Sequence, residues 1–263
     1  MESLPLFILG APRSGTTFLT HVLNQHPAVD ITSESRIFVL LKDLVEERSE
    51  RGDLLDASIR DRFQSFLRAE AGRFVERFYR EGLGFTAPIW GDKHTSYADP
   101  AVLSGRHRGV MAEPRSGSCL ALIRETLPRA RFIHIHRHPW QVASSLCRRG
   151  WVGSIAEGVQ VWRQHVGEAV AFLDELDPGE SLSLSLYELV DAPEAAAEAI
   201  ARLLGLSDAE PFAHVLRAEQ AKPTPFSSPT SDLAGLRSGH TRAVEEAGRG
   251  LQAGAAAVRL GYC

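Results

Sequence analysis

Short strand-like segments rich in apolar residues alternate along this chain with longer stretches in which apolar residues return every three or four positions. The first run is LPLFILG, Leu4 to Gly10. An apolar run without alternation is what a strand covered on both faces of a parallel sheet requires. After a glycine-containing loop, Phe18, Leu19, Val22 and Leu23 recur at helical spacing until His26 and Pro27 stop them, which predicts a helix over 14–25. Helices are predicted over 36–48 and 58–80, the second from the stripe Ile59, Phe63, Phe66, Phe74 and Phe78. Further strands are predicted at Ala87 to Lys93, Arg131 to His136 and Ser181 to Tyr187, with helices over 117–127, 139–149 and 193–204. Pro193 sits at the start of the last helix, where its missing N–H costs nothing.

Strands alternating with helices predict an α/β fold: a P-loop-like parallel sheet of about five strands with helices on both faces. Ligands then bind beyond the carboxyl ends of the strands. Two stretches lack periodicity. Ser104 to Ser118 is rich in Gly, Ser and Arg and reads as a lid or insertion loop, and Ala221 to Gly235 reads as a second loop. No internal repeat is present, so residues 1–263 are expected to form a single domain.

Composition narrows the function. With 44% hydrophobic residues the chain can bury a full core, and a net charge of −4 disfavours a general nucleic-acid binder. The cysteines Cys119, Cys147 and Cys263 fit neither a disulfide framework nor zinc spacing. A first strand starting at Leu4 leaves no room for a signal peptide, and no apolar run approaches the ~20 residues of a membrane span. The expectation is a cytoplasmic protein without membrane or nucleic-acid partners.

The candidate chemistry starts at GAPRSGTTFL, Gly10 to Leu19. The frame G-x-x-x-x-G closes at Gly15, but Thr16 stands where a nucleoside-triphosphatase places its lysine. Backbone N–H groups at the following helix start make an anion site, and Arg13, Ser14, Thr16 and Thr17 add donors. An ordinary glycine turn capped by a serine is the plainer alternative. At the end of the Arg131 strand stands Arg137, a cation where metal-dependent phosphoryl transfer usually has an aspartate. That arginine, with Ser145 eight positions on, suits a second anion. The alternating His134, His136 and His138 offer no third metal ligand on one face, so no metal is expected.

These segments together resemble a known family. PLFILGAPRSGTTFLTHVLNQHPAVDITSESRI, GDK, RFIHIHRHPWQVASSL and LSLYELV are similar to motifs of the sulfotransferases that use 3′-phosphoadenosine 5′-phosphosulfate (PAPS), most of all the bacterial and tyrosylprotein types. The resemblance implies a cofactor loop of Arg13, Ser14, Gly15, Thr16 and Thr17 around the 5′-phosphosulfate, and Arg137 and Ser145 at the 3′-phosphate. It further implies Tyr187 near the adenine, Lys222 in a loop closing over the cofactor, and Lys93 stabilising the leaving oxygen. A sulfuryl group needs no metal. PAPS is then the co-substrate, and a small hydroxylated molecule the expected acceptor.

Two bases compete. Glu34 follows the HP pair as in the tyrosylprotein relatives, with a pKa expected to be raised by partial burial. Glu34 or Ser33 alternatively caps the helix near Arg36. His94 adjoins Lys93, although the cytosolic relatives place a histidine two positions after their lysine, where Thr95 stands. The R-K-G-x-x-G signature of those relatives is absent. An ATP- and Mg²⁺-dependent phosphotransferase and a non-catalytic nucleotide-binding module are the rival readings. Oligomeric state is not legible.

Overall fold

A computed structural model describes residues 2–45, 57–99, 118–222 and 255–262. The expected loop at Ser104 to Ser118 falls almost wholly outside these residues. Five strands form one sheet: β1 (Leu4–Leu9), β2 (Val29–Ser33), β3 (Ile89–Lys93), β4 (Arg131–His136) and β5 (Ser181–Ser185). The order is β2-β3-β1-β4-β5, and every neighbouring pair is parallel. The sheet is therefore the parallel one expected, with β1 at its centre and all five carboxyl ends on one edge.

The period of two in β1 explains its continuous apolar run. Leu6 and Ile8 enter one core with Leu19, Val22, Ile133 and Ile135, and Phe7 and Leu9 enter another with Phe38, Val75, Tyr97 and Phe132. Helices cover both faces: α1 (Thr16–Leu23), α2 (Ile37–Val45), α3 (Ala57–Arg77), α4 (Leu120–Thr126), α5 (Pro139–Arg148) and α6 (Ile155–Leu173). Among the described residues four more follow, α7 (Glu188–Asp191), α8 (Pro193–Leu204), α9 (Glu210–Gln220) and α10 (Ala255–Arg259). No described helix is long and apolar enough to cross a membrane.

Three departures have physical causes. The edge strand β2 offers only Val29 and Ile31 to the core, too few to mark it in the sequence. Helix α6 buries Val159, Trp162, Val166 and Ala169 at three- and four-residue spacing, with Ser154 Oγ accepting from the Glu157 N–H at its start. In α3 the helix is found but its buried face is not the expected one. Ile59, Phe63, Phe66 and Phe74 are all more than half exposed, and Ala71 and Val75 are packed instead. Gly72 explains the choice, since a Cβ there would lie 2.2 Å from the Thr126 carbonyl oxygen. Only that side of α3 can approach α4 so closely.

Candidate active site

Between β1 and α1 the chain turns through three residues of positive φ, Gly10 at +156°, Arg13 at +74° and Gly15 at +99°. The turn passes close under the sheet edge: a Cβ on Gly10 would sit 2.4 Å from the Ile135 carbonyl oxygen, and one on Gly15 2.6 Å from Leu186 Cδ1. Gly15 is the N-cap of α1, and no side chain caps the helix. The Ser14 hydroxyl does not do so either. It is fully buried and has no hydrogen-bond partner among the described residues, an arrangement that costs free energy until an acceptor arrives. Four arginines cluster at this loop. Arg13 Nε donates to Ser145 Oγ at 3.0 Å, and burial, then Arg149, Arg137 and Arg148, hold the Arg13 guanidinium below its ordinary pKa. Mutual repulsion among them is relieved by an anion.

Arg137, just past β4, donates through Nε to Gln141 Oε1 at 2.9 Å, and the Tyr187 hydroxyl donates to the same oxygen. Gln141 thus joins two residues expected on different parts of one ligand. On the other side of β1, the strand β3 ends at Lys93, whose ammonium bonds Glu34 Oε1 at 2.9 Å. The Lys93 side chain is 4% exposed and that of Glu34 60%. Contrary to the rise expected from burial, the Glu34 carboxyl is held below its ordinary pKa, because the Lys93 hydrogen bond outweighs desolvation. The helix start near Arg36 is capped by neither Glu34 nor Ser33. Ser35 Oγ accepts from the Ile37 N–H at 3.3 Å.

His94 lies beyond the strand end as the N-cap of a 3₁₀ turn, Thr95–Ala98, and stacks on Tyr97. Its Nδ1 accepts from the Ser96 N–H at 3.1 Å, so in the neutral ring Nε2 carries the proton. Burial pushes its pKa down to about 4, leaving the ring neutral at physiological pH. A lone pair already occupied and a proton on the other nitrogen make this ring a donor rather than a base.

The model of the sulfotransferase family matches residues 5–210. The chain belongs to the sulfotransferase family. Among curated proteins it is similar to the nodulation protein NoeE of Sinorhizobium fredii strain NGR234, at 28% identity over 205 residues that cover 76% of this chain. Those residues are 41% of that relative's length, so the chain spans well under half of it. Among solved structures, the sulfotransferase domain of the Synechococcus PCC 7002 olefin synthase aligns at 20% identity and TM-score 0.55, covering 80% of this chain and 76% of that one. A Mycobacterium avium sulfotransferase aligns at 14% identity and TM-score 0.51, covering 94% and 77%. Both likenesses are likenesses of fold.

Within this sulfotransferase fold the sequence-expected residues fall into two groups on one sheet edge. Arg13, Ser14, Gly15, Thr16, Thr17, Arg137, Ser145 and Tyr187 surround the β1 and β4 ends, and Glu34, Lys93 and His94 lie at the β2 and β3 ends. Lys222 is exposed just past α9 and pairs with Glu219. The histidines have structural partners. His134 Nδ1 meets Ser183 Oγ at 3.1 Å, His136 Nδ1 meets the Tyr262 hydroxyl at 2.6 Å, and His138 Nδ1 accepts from the Trp140 N–H. Sequence reasoning passed over Gln141 and Asp92. For Asp92 the signal was present in GDK, an acidic residue inside an apolar strand.

Proposed function

We propose that this protein transfers a sulfuryl group from PAPS to a hydroxyl of a small acceptor molecule, releasing adenosine 3′,5′-bisphosphate. The pairing of a nearly buried Lys93 with Glu34 at one strand end, beside a loop holding an unpartnered Ser14 hydroxyl, supports the reading. The residues fit the donor: Ser14, Thr16, Thr17 and the α1 start would hold its 5′-phosphosulfate, and Arg137 with Ser145 its 3′-phosphate. PAPS supplies an activated sulfuryl group. Glu34 holds a free carboxylate oxygen able to take the acceptor's proton, and the Lys93 ammonium supplies positive charge where negative charge grows on the leaving oxygen. Glu34 is the base in this proposal, and His94 supports the wall behind it. We take residues 1–263 as one such domain acting in the cytoplasm.

The distinguishing experiment is thermal unfolding with adenosine 3′,5′-bisphosphate in EDTA against ATP with Mg²⁺. A ligand at ~100 times its Kd stabilises by roughly 2.7 kcal/mol. The bisphosphate should raise the melting temperature and Mg·ATP should not. A larger shift with Mg·ATP would replace this proposal by the phosphotransferase reading, which has Arg137 at the strand end against it. Sulfate addition detected by mass across an acceptor panel separates an enzyme from a non-catalytic nucleotide-binding module.

A further inference from the structure

We infer that Asp92 is a positioning residue for Glu34, acting through Ser35 to lock the turn that presents the carboxylate. The inference rests on the reading of Glu34 as the base. Glu34 and Arg36 both occupy the left-handed region, at φ +62° and +60°, a conformation that side-chain-bearing residues adopt only when their surroundings impose it. Two such residues flanking Ser35 would relax if nothing held them.

What holds them is adjacent β3. The Glu34 N–H donates to the Lys93 carbonyl oxygen at 2.8 Å. One residue earlier, Asp92 Oδ2 accepts a hydrogen bond from the Ser35 hydroxyl at 2.6 Å, and its Oδ1 faces the Ser35 N–H at 3.4 Å. With its own proton directed at Asp92, Ser35 Oγ is left to accept from the Ile37 N–H, which fixes the start of α2. The same Oδ2 accepts from the Tyr97 hydroxyl at 2.7 Å, and the Tyr79 hydroxyl lies 3.1 Å from Ser35 Oγ.

Asp92 is fully buried, and among the described residues no cation stands within ion-pair distance of it. A buried carboxylate with no cation closer than the Lys93 charge next along the strand is expensive, and an apolar side chain would fill a strand position at lower cost. The carboxylate does what an apolar residue cannot: it grips a hydroxyl in the middle of a strained turn. Residues 92 and 93 together therefore clamp residues 34 and 35, and set Glu34 against Lys93.

The test uses the full chain with Ser35→Ala, which removes the gripped hydroxyl, Ser35→Thr, which keeps one, and Asp92→Asn. The first readout is the carboxyl ¹³C titration of Glu34 by NMR, which requires neither cofactor nor acceptor. In the parent protein Glu34 should titrate below the ordinary carboxylate value. In Ser35→Ala it should move up toward that value as the Lys93 ion pair loosens, and in Ser35→Thr it should stay low. The second readout is turnover, where displacement of a reacting group by about 1 Å costs up to ~10²-fold. We expect a roughly 10- to 100-fold fall in kcat for Ser35→Ala, with KM for PAPS within about twofold, and recovery in Ser35→Thr. A Glu34 titration unchanged in both Ser35→Ala and Asp92→Asn overturns the inference, as does a kcat loss that threonine fails to rescue. If Asp92→Asn does not fold, the two Ser35 variants decide alone. Failure of the bisphosphate to stabilise the parent protein would count against the proposed function, and the Glu34 titration would still judge the clamp.

Discussion

Replacing Glu34 by glutamine separates the two candidate bases, because the structure makes its chemical and structural costs very different. Glutamine keeps an oxygen for the Lys93 ammonium, now 2.9 Å from Oε1, and loses only the charge. The Glu34 side chain is 60% exposed, so water screens the pair, and the stability loss should be about 1 kcal/mol. Turnover should fall far more. A positioned base is worth ~10²- to 10⁴-fold, or roughly 3 to 5.5 kcal/mol of barrier. His94→Ala inverts the pattern. It removes the acceptor for the Ser96 N–H and a ring stacked 4.8 Å from Tyr97, together worth about 2 kcal/mol of stability. No base is removed, so turnover of the folded variant should fall less than ~10-fold. The assay is sulfate transfer followed by mass at saturating PAPS, below the melting temperature of each variant, with stability read separately from urea midpoints. Near-normal turnover in Glu34→Gln beside an inactive His94→Ala would refute the tautomer argument and hand the role of base to the histidine.

Other consequences follow from the same geometry. Arg137→Ala should weaken adenosine 3′,5′-bisphosphate at least ~10-fold more than adenosine 5′-monophosphate in calorimetric titration, since the variant gives up a charge-assisted hydrogen bond to the 3′-phosphate; equal weakening would place Arg137 elsewhere on the ligand. Activity that needs ionised Glu34 is lost as pH falls through its folded-state pKa, which Lys93 holds below the ordinary value. The acid limb of kcat/KM should thus lie below the usual carboxylate range, and Lys93→Met should shift the residual activity's limb upward. Burial also depresses His94, His134 and His136, to about 4, about 3 and about 4. The unfolded chain takes up these protons from near pH 6.5 downward while the fold does not, so stability falls toward pH 4, by as much as about 1.4 kcal/mol per pH unit per histidine. Asp92, whose pKa burial raises, opposes part of this loss. Urea midpoints between pH 7 and 4.5 should show the slope, and His136→Gln should reduce it by about one proton's worth; an unchanged slope would mean that His136 is not held neutral.

What the sequence conveyed, and what it did not, divides along whether the signal is written in one contiguous stretch. The β1 loop was legible because its glycine frame and helix start are written together in Gly10 to Thr17, even though the atoms that exclude a Cβ at Gly10 and Gly15 belong to the distant Ile135 and Leu186. Strand β1 was legible because covering on both faces leaves an uninterrupted apolar run, and β3 and β4 because short apolar stretches run into the polar residues at their carboxyl ends. The phenylalanines of α3 announced a helix, but which side of it packs was decided by Gly72 meeting α4, 54 positions from Thr126. Around the candidate base the same distinction governs chemistry. Glu34 could be singled out by its place after the HP pair, yet the sign of its pKa shift depends on whether burial or a lysine 59 positions away acts more strongly. Its positive φ was invisible for a related reason. Nothing in the letters SES indicates a left-handed turn, because glutamate and arginine do not prefer one, and the conformation is imposed by Asp92 and the Lys93 carbonyl from another strand. The residues that carry charge to the reacting centre are therefore marked by motif, while those that aim it are marked only by their neighbours in space, so a substitution at Ser35, which no motif would single out, should be felt at Glu34.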